Sequence, residues 1–205
     1  MAIASNGDVY ICEQKGNLRV IRDGILQPET LVKVVANTDG PSYTDRGLLG
    51  IALDPDFMEN GEVYLYYTTA RNYIHNRVSK FKLQGNNNVS SSEEILVELD
   101  TLSEAFSHNG GAMHFGPDGK LYIAVGENTI TTNSQEVSNS LGKLLRINKD
   151  GTIPPDNPWV GTNGADPKIW FLGLRNPFTF DISKAGKIFV NDVGFETFEE
   201  INDAT

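Results

Sequence analysis

The chain has 205 residues, and 39% of them are aliphatic or aromatic, so it can bury a sizeable core and is not disordered by composition. A formal charge of −10 argues against nucleic acid or an anionic membrane as a partner, because phosphate groups require a basic surface. No apolar stretch is long enough to span a membrane, and the first residues lack the basic and apolar regions of a signal peptide. The single cysteine, Cys12, lies in a strand-like run and is expected to be a buried thiol without a disulfide partner.

A short pattern recurs four times along the chain. A turn ending in glycine precedes a polar residue and an apolar–aromatic–apolar run at residues 5–11, 59–65, 117–123 and 184–190. Asparagine–glycine and aspartate–glycine pairs supply the positive φ angle that a tight hairpin needs. Each copy therefore predicts a hairpin whose second strand is buried.

Further short strands are predicted upstream of three hairpins, at residues 51–53, 112–115 and 178–182, and downstream of three, at 18–21, 78–83 and 143–147. Only residues 135–141 show a helical period. An all-β chain with a repeat of roughly 50–60 residues is typical of a β-propeller, with one four-stranded antiparallel sheet, or blade, per repeat. A β-sandwich with coincidental hairpins is the alternative.

The number of hairpins is small for a closed propeller. Four hairpins correspond to about three and a half blades, whereas propellers close with about four to eight. Residues 1–205 are therefore expected to form one partial propeller domain, whose later blades are absent.

His108 opens the third hairpin on a polar, glycine-containing loop, and Glu127 follows the second strand of that hairpin. Histidine is the side chain best suited to take a proton at neutral pH, so His108 is a candidate general base that Glu127 could orient. The glycines at 110 and 111 would let a ligand approach the backbone. A solvated loop histidine is the alternative. His75, in a blade-edge loop, and His114, packed in a strand, are expected to be structural.

Arg175 precedes the fourth hairpin in the same way that the His108 loop precedes the third. If the blades are related by rotation, both residues lie on one rim, where Arg175 could bind an anionic or carbonyl group. A surface ion pair is the alternative. Asp192, or the backbone carbonyls of residues 191–194, could bind a cation. The glycine pattern of dinucleotide sites and the serine nucleophile elbow are absent from the sequence.

Several motifs together resemble the glucose/sorbosone dehydrogenase family, and they cover nearly the whole chain in the family's order. They lie at residues 47–57, 108–127, 141–148, 151–158, 174–177 and 199–202. The resemblance implies a soluble quinoprotein that carries pyrroloquinoline quinone (PQQ) on a six-bladed β-propeller. It also implies oxidation of an aldose at the anomeric carbon to the lactone, with an external electron acceptor.

The resemblance further implies three catalytic residues. His108 would take the proton from the anomeric hydroxyl while hydride passes to the quinone, and Glu127 would hold His108. Arg175 would stabilise the negative charge that develops on the quinone oxygen. Glu127 departs from the family pattern, which has aspartate at this position.

Cofactor and metal contacts are implied in the same way. Asn176, Asp45 and Gln135 match positions that contact PQQ. The backbone at Gly194 and Phe195 matches the place where the family holds a calcium ion. Phe195 replaces the usual proline, a change that a carbonyl ligand tolerates.

In the family, later blades supply the basic residues that hold the carboxylates of PQQ, so the 205-residue chain alone is expected to bind PQQ poorly. One alternative is a non-catalytic binding propeller of the hedgehog-interacting type, and another is an inactive fragment. Retention of His108, Arg175 and Asn176 favours the enzyme. Enzymes of this type are usually exported, which is expected for the full-length parent. Residues 88–90 form a glycosylation sequon only in a eukaryotic secretory setting.

Overall fold

The computed structural model describes residues 1–83 and 93–205, so the sequon at 88–90 lies outside the described residues. The strands of the described part form four antiparallel sheets arranged as a β-propeller, which confirms the predicted all-β fold. No helix within the described residues is long and apolar enough to cross a membrane.

The four blades follow one another along the chain. The first contains β1 (Ala2–Ile3), β2 (Val9–Glu13), β3 (Asn17–Arg22), β4 (Ile25–Leu26) and β5 (Val32–Lys33). The second contains β6 (Leu48–Leu53), β7 (Glu62–Thr69), β8 (His75–Lys82) and β9 (Glu94–Thr101). The third contains β10 (Met113–Phe115), β11 (Leu121–Val125), β12 (Lys143–Ile147) and β13 (Ile169–Leu172). The fourth contains β14 (Pro177–Ile182), β15 (Ile188–Asp192) and β16 (Glu200–Asp203).

The four predicted repeats are confirmed, because each supplies one strand of a hairpin and each lies in a different blade. The apolar–aromatic–apolar runs form β2, β7, β11 and β15, the second strand of each sheet. The glycine that ends each turn has positive φ, from +69° at Gly61 to +90° at Gly7. Gly7, Gly119 and Gly186 close tight turns as predicted, whereas Gly61 instead ends a short helix, with its N–H donating to the carbonyl of Phe57 at 2.8 Å.

Helical structure is limited to two short segments in the described residues, α1 (Phe57–Asn60) and a 3₁₀ turn (Thr131–Gln135). The helical period predicted at 135–141 is therefore wrong. The Asn139 side chain accepts a hydrogen bond from the backbone N–H of Leu141, and Ser140 bonds to Asp100 through both its backbone and its hydroxyl. Such side-chain bonds hold the backbone of this segment out of a helix.

The core lies between the blades, and the central strands of the second and third blades each contribute to two interfaces, whereas β15 of the last blade buries only alternate residues. In β7, Val63, Leu65 and Tyr67 face the first blade, whereas Tyr64 and Tyr66 face the third. Successive side chains of a strand point to opposite faces. Strand β11 repeats this arrangement between the second and fourth blades. Burial on both faces explains why these strands appear in the sequence as continuous apolar runs.

Candidate functional site

His108 and Glu127 form a hydrogen-bonded pair at the end of the third hairpin. His108 lies in the loop between β9 and β10, and Glu127 lies just after β11. The imidazole Nδ1 is 2.6 Å from the carboxylate Oε1. Only 1% of the Glu127 side chain is exposed, against 15% of His108. Because the carboxylate accepts the Nδ1 proton, the tautomer inferred for His108 leaves a lone pair on Nε2.

The backbone of His108 adopts a conformation that is rare for a residue with a side chain. Its φ angle is +60°, in the left-handed region. The N–H donates to Asp45 Oδ2 at 3.0 Å, and the carbonyl accepts from the N–H of Asn128 at 3.1 Å. Asn128 is fully buried, and its amide also bonds to the backbone of Ser103 and Ser107. Asn128 was not predicted from the sequence, although it directly follows the candidate residue Glu127.

The glycines after His108 serve close packing of the chain on itself. A Cβ at Gly110 would lie 2.6 Å from the carbonyl oxygen of Ala124, and one at Gly111 would lie 2.8 Å from Cβ of Leu49. Both glycines also have positive φ. Close packing therefore explains both glycines without a ligand, because Gly110 packs against the neighbouring strand and Gly111 against the neighbouring blade. That they also admit a ligand stays a prediction.

Arg175 contacts the histidine–glutamate pair through its backbone, which agrees with the expectation that the two loops lie on one rim. Its backbone carbonyl accepts from the N–H of Glu127 at 2.8 Å. The guanidinium Nη1 donates to the carbonyls of Val193 and Gly194, each at 3.0 Å, and the group lies 5.4 Å from the ring centre of Phe195. The carbonyl of Gly194, a predicted calcium ligand, is thus hydrogen-bonded to Arg175, a predicted catalytic residue.

Asp192 anchors the loop that carries Arg175 and Asn176. Its two carboxylate oxygens accept the backbone N–H of Arg175 at 2.8 Å and that of Asn176 at 2.7 Å. Burial raises the pKa of the Asp192 carboxyl above its ordinary value. The prediction that Asp192 binds a cation is therefore not supported by its geometry, since the carboxylate is committed to the backbone. No cluster of three or more His, Cys, Asp or Glu side chains in the described ranges could hold a metal ion.

A cavity of about 780 Å³ lies where the inner strands β6, β10 and β14 meet. Asp45 and Asn176, two of the predicted cofactor contacts, line it. Asn176 is buried, and within the described residues its Oδ1 has no hydrogen-bond partner. The three predicted catalytic residues, His108, Glu127 and Arg175, are not among its lining residues. Gln135 does not line it either; it is exposed in the 3₁₀ turn, beside Gly173. The volume suits a small-molecule cofactor, for which pockets of roughly 300–1,000 Å³ are usual.

Cys12 and the remaining histidines differ in part from expectation. Cys12 is half-buried rather than buried and lines the cavity, and desolvation raises its pKa to about 11. His75 is not in a loop: it begins β8 and is fully buried. His114 lies in β10 and packs edge-on against Phe180, with 4.9 Å between ring centres, but it is exposed and lines the cavity.

Lys143 supports the turn that follows Glu127. It is fully buried in β12, and its Nζ donates to the carbonyls of Asn133 and Leu141, each at 2.6 Å. The Asn133 amide in turn donates to the Glu127 carbonyl at 3.0 Å. Burial lowers the pKa of Lys143 to about 8. Sequence reasoning missed this residue, although a lysine at the start of an apolar strand is a usable signal.

Comparison with known proteins assigns the chain to a family. The family model described as "Glucose / Sorbosone dehydrogenase" matches residues 1–205. The aldose sugar dehydrogenase YliI of Escherichia coli is 31% identical over 76% of this chain and 43% of its own length. The mouse hedgehog-interacting protein is 27% identical over 82% of this chain and 27% of its own length. The chain spans less than half the length of these relatives.

Solved structures show the same propeller. A protein described as a glucose dehydrogenase from Thermus thermophilus aligns with a TM-score of 0.87 at 31% identity, over 98% of this chain and 59% of its own. The PQQ-bound aldose sugar dehydrogenase of Streptomyces coelicolor aligns with a TM-score of 0.83 at 27% identity, over 98% of this chain and 57% of its own. By its sequence match and its fold, the chain belongs to the glucose/sorbosone dehydrogenase family.

Proposed function

We propose that the full-length protein carrying this sequence oxidises an aldose at its anomeric carbon to the lactone, with PQQ as the hydride acceptor. The observation that carries the proposal is the hydrogen-bonded His108–Glu127 pair, whose loop is connected through the His108 N–H to Asp45, a residue that lines the cavity of about 780 Å³. Membership of a family that contains sugar dehydrogenases supports it.

His108 is the general base of this reaction. Its Nε2 accepts the proton of the anomeric hydroxyl, because Nδ1 is held by the buried carboxylate of Glu127 at 2.6 Å. The carboxylate fixes the ring and stabilises the imidazolium that forms. A hydrogen bond to a charged group is worth about 1.5–3 kcal/mol. The glutamate that replaces the family's aspartate reaches the imidazole in spite of its extra methylene.

PQQ, when bound, supplies the quinone that accepts the hydride. The residues present fit this group in part: the cavity has the volume of a cofactor pocket and is lined by Asn176, whose buried Oδ1 has no partner in the described residues, but none of its lining residues is a lysine or arginine that could hold the PQQ carboxylates. Asn176 is proposed as a cofactor contact. Asp45 lines the cavity, but its carboxylate accepts the His108 N–H, so its role as a cofactor contact stays a prediction, as does that of Gln135, which lies outside the lining.

Arg175 is proposed to stabilise negative charge on the bound quinone. Both hydrogen bonds of its guanidinium use Nη1, so within the described residues Nε and Nη2 have no protein acceptor and can donate to an anionic oxygen. Calcium at the carbonyls of Gly194 and Phe195 stays a prediction. The present arrangement does not fit it, because the Gly194 carbonyl is bonded to the guanidinium, so no step is assigned to the metal.

Two further parts of the proposal concern the whole protein. We infer export of the parent and an external electron acceptor from its kinship with the sugar dehydrogenases. The second candidate function is a binding propeller of the hedgehog-interacting type, a relative at similar identity. The His108–Glu127 pair favours the enzyme, because a binding surface does not require a buried carboxylate behind an accessible imidazole.

The test is dye-coupled oxidation of a panel of aldoses by the purified full-length protein, with and without added PQQ. We expect turnover that depends on both the sugar and PQQ. The 205-residue chain, assayed alongside, is expected to bind PQQ weakly. Full-length protein that binds PQQ but oxidises none of the sugars would favour the binding propeller.

A further inference from the structure

We propose that Asp45 and Arg46 form a clamp that positions His108, and that Asp45 acts on the reaction through His108 rather than mainly through the cofactor. The inference rests on the proposed function, in which His108 is the general base. It goes further because Arg46 has no assigned role and Asp45 was expected only as a cofactor contact. The two residues precede β6 in the second blade, whereas His108 precedes β10 in the third.

Asp45 binds the histidine loop at two points. Its backbone N–H donates to the carbonyl of Phe106 at 2.8 Å. Its side-chain Oδ2 accepts the N–H of His108 at 3.0 Å. Since the left-handed conformation of His108 is disfavoured for a residue with a side chain, it persists only where surrounding contacts fix it. The Asp45 carboxylate provides one such contact, and it bonds directly to the N–H of His108, the proposed general base.

Arg46 binds the preceding part of the same loop. Its side chain is 2% exposed, and Nη2 donates to the carbonyls of Ser103 at 3.0 Å and Ala105 at 2.8 Å. The guanidinium also lies 4.7 Å from the ring centre of Phe106. A lysine ammonium could also bond to two carbonyls, as Lys143 does, but only the planar guanidinium can stack on the ring while it makes these bonds. Burial lowers the pKa of Arg46 below its ordinary value, as its desolvated environment requires.

The clamp is itself held by the first blade. The Gln14 side-chain amide donates to the carbonyls of Thr44 at 3.0 Å and Arg46 at 2.9 Å. The N–H of Leu48 donates to the Gln14 carbonyl at 2.9 Å. The loop that carries the base is therefore tied, through residues 45 and 46, to two preceding blades. Loss of the Asp45 carboxylate would let His108 leave its left-handed conformation while the blades stay folded.

The test compares Asp45→Ala, Asp45→Asn and Glu104→Ala in the PQQ-loaded full-length protein. Glu104 is an exposed acid of the same loop without a hydrogen bond or ion pair in the described ranges, so it controls for charge. We expect Asp45→Ala to lower kcat about 10- to 100-fold, the range for one charge-assisted hydrogen bond, with KM and PQQ affinity within about threefold of wild type. Asp45→Asn, which keeps an acceptor oxygen, should recover most of kcat, and Glu104→Ala should match wild type.

Two results would overturn the clamp. One is a loss of PQQ affinity of more than about tenfold in Asp45→Ala with kcat of the loaded enzyme unchanged, which would make Asp45 a cofactor contact. The other is a rate of hydrogen exchange at the His108 backbone amide that is the same in Asp45→Ala as in wild type. Loss of the Asp45 acceptor should raise this rate about tenfold or more. Exchange does not depend on catalysis. If His108→Asn is fully active, the proposed function fails, and exchange alone still decides whether Asp45 holds the loop.

Discussion

The buried ammonium of Lys143 makes a quantitative prediction about the turn behind Glu127. Lys143 is fully buried and bonds to two backbone carbonyls, and burial lowers its pKa to about 8, although Asp100, Asp166 and Glu136 act to raise it. In the unfolded chain a lysine titrates near 10.4. Between these two values the unfolded state binds more protons than the folded state, so this lysine makes stability rise with pH.

The size of the effect follows from the two pKa values. With a folded value of about 8, Lys143 should add about 2 kcal/mol to the free energy of unfolding between pH 7 and pH 9.5. Lys143→Met removes this term and leaves the rest of the protein's titration in place. Cys12, whose pKa is raised to about 11, acts in the opposite direction above pH 9, and the comparison with the variant cancels it.

The assay is urea denaturation of wild type and Lys143→Met at both pH values. We expect the stability of wild type relative to the variant to increase by about 2 kcal/mol on going to pH 9.5. Lys184→Met, at an exposed lysine, is the control for replacing a lysine by methionine. A difference between wild type and Lys143→Met that stays constant or shrinks would refute the burial argument.

Two further predictions concern the residues around His108. Glu127→Gln should lower kcat of the PQQ-loaded full-length protein about 10- to 100-fold without changing PQQ affinity, because the imidazolium loses its charged partner; an unaltered kcat would contradict the pairing. Gly111→Ala should lower the free energy of unfolding by about 2 kcal/mol more than Gly161→Ala, since both glycines have positive φ but only Gly111 meets a neighbour, Leu49 at 2.8 Å. Equal losses in denaturation experiments would mean that the blade contact relaxes freely.

The fold was predictable because its signals are local. Three of the four hairpin turns close on a glycine with positive φ, and the central strands β7 and β11 are buried on both faces, so turn residues and apolar runs recur together. The same locality explains why the His108–Glu127 pair was predicted. The β10–β11 register pairs Met113 with Ile123, which brings the flanking residues of the hairpin to one end.

The rest of the site depends on contacts between residues far apart in sequence. The bond between Asp45 and His108 spans 63 positions, and that between Arg46 and Ala105 spans 59. No local pattern reveals which side chain caps an N–H on another blade. The prediction that His75 lies in a loop was wrong for a related reason. Polar residues shortly before it resemble a loop, but strand β8 begins at His75 itself.

The central claim is that His108 takes the proton when the sugar is oxidised. It is tested most directly by the rate of aldose-driven reduction of the PQQ-loaded full-length protein, measured by rapid mixing for wild type and His108→Asn. Asparagine tolerates the left-handed conformation that residue 108 adopts, at φ +60°, so the loop should stay in place. We predict a rate about 100- to 10,000-fold lower with PQQ affinity unchanged, the range for loss of a general base. A His108→Asn protein that is reduced as fast as wild type would contradict the account.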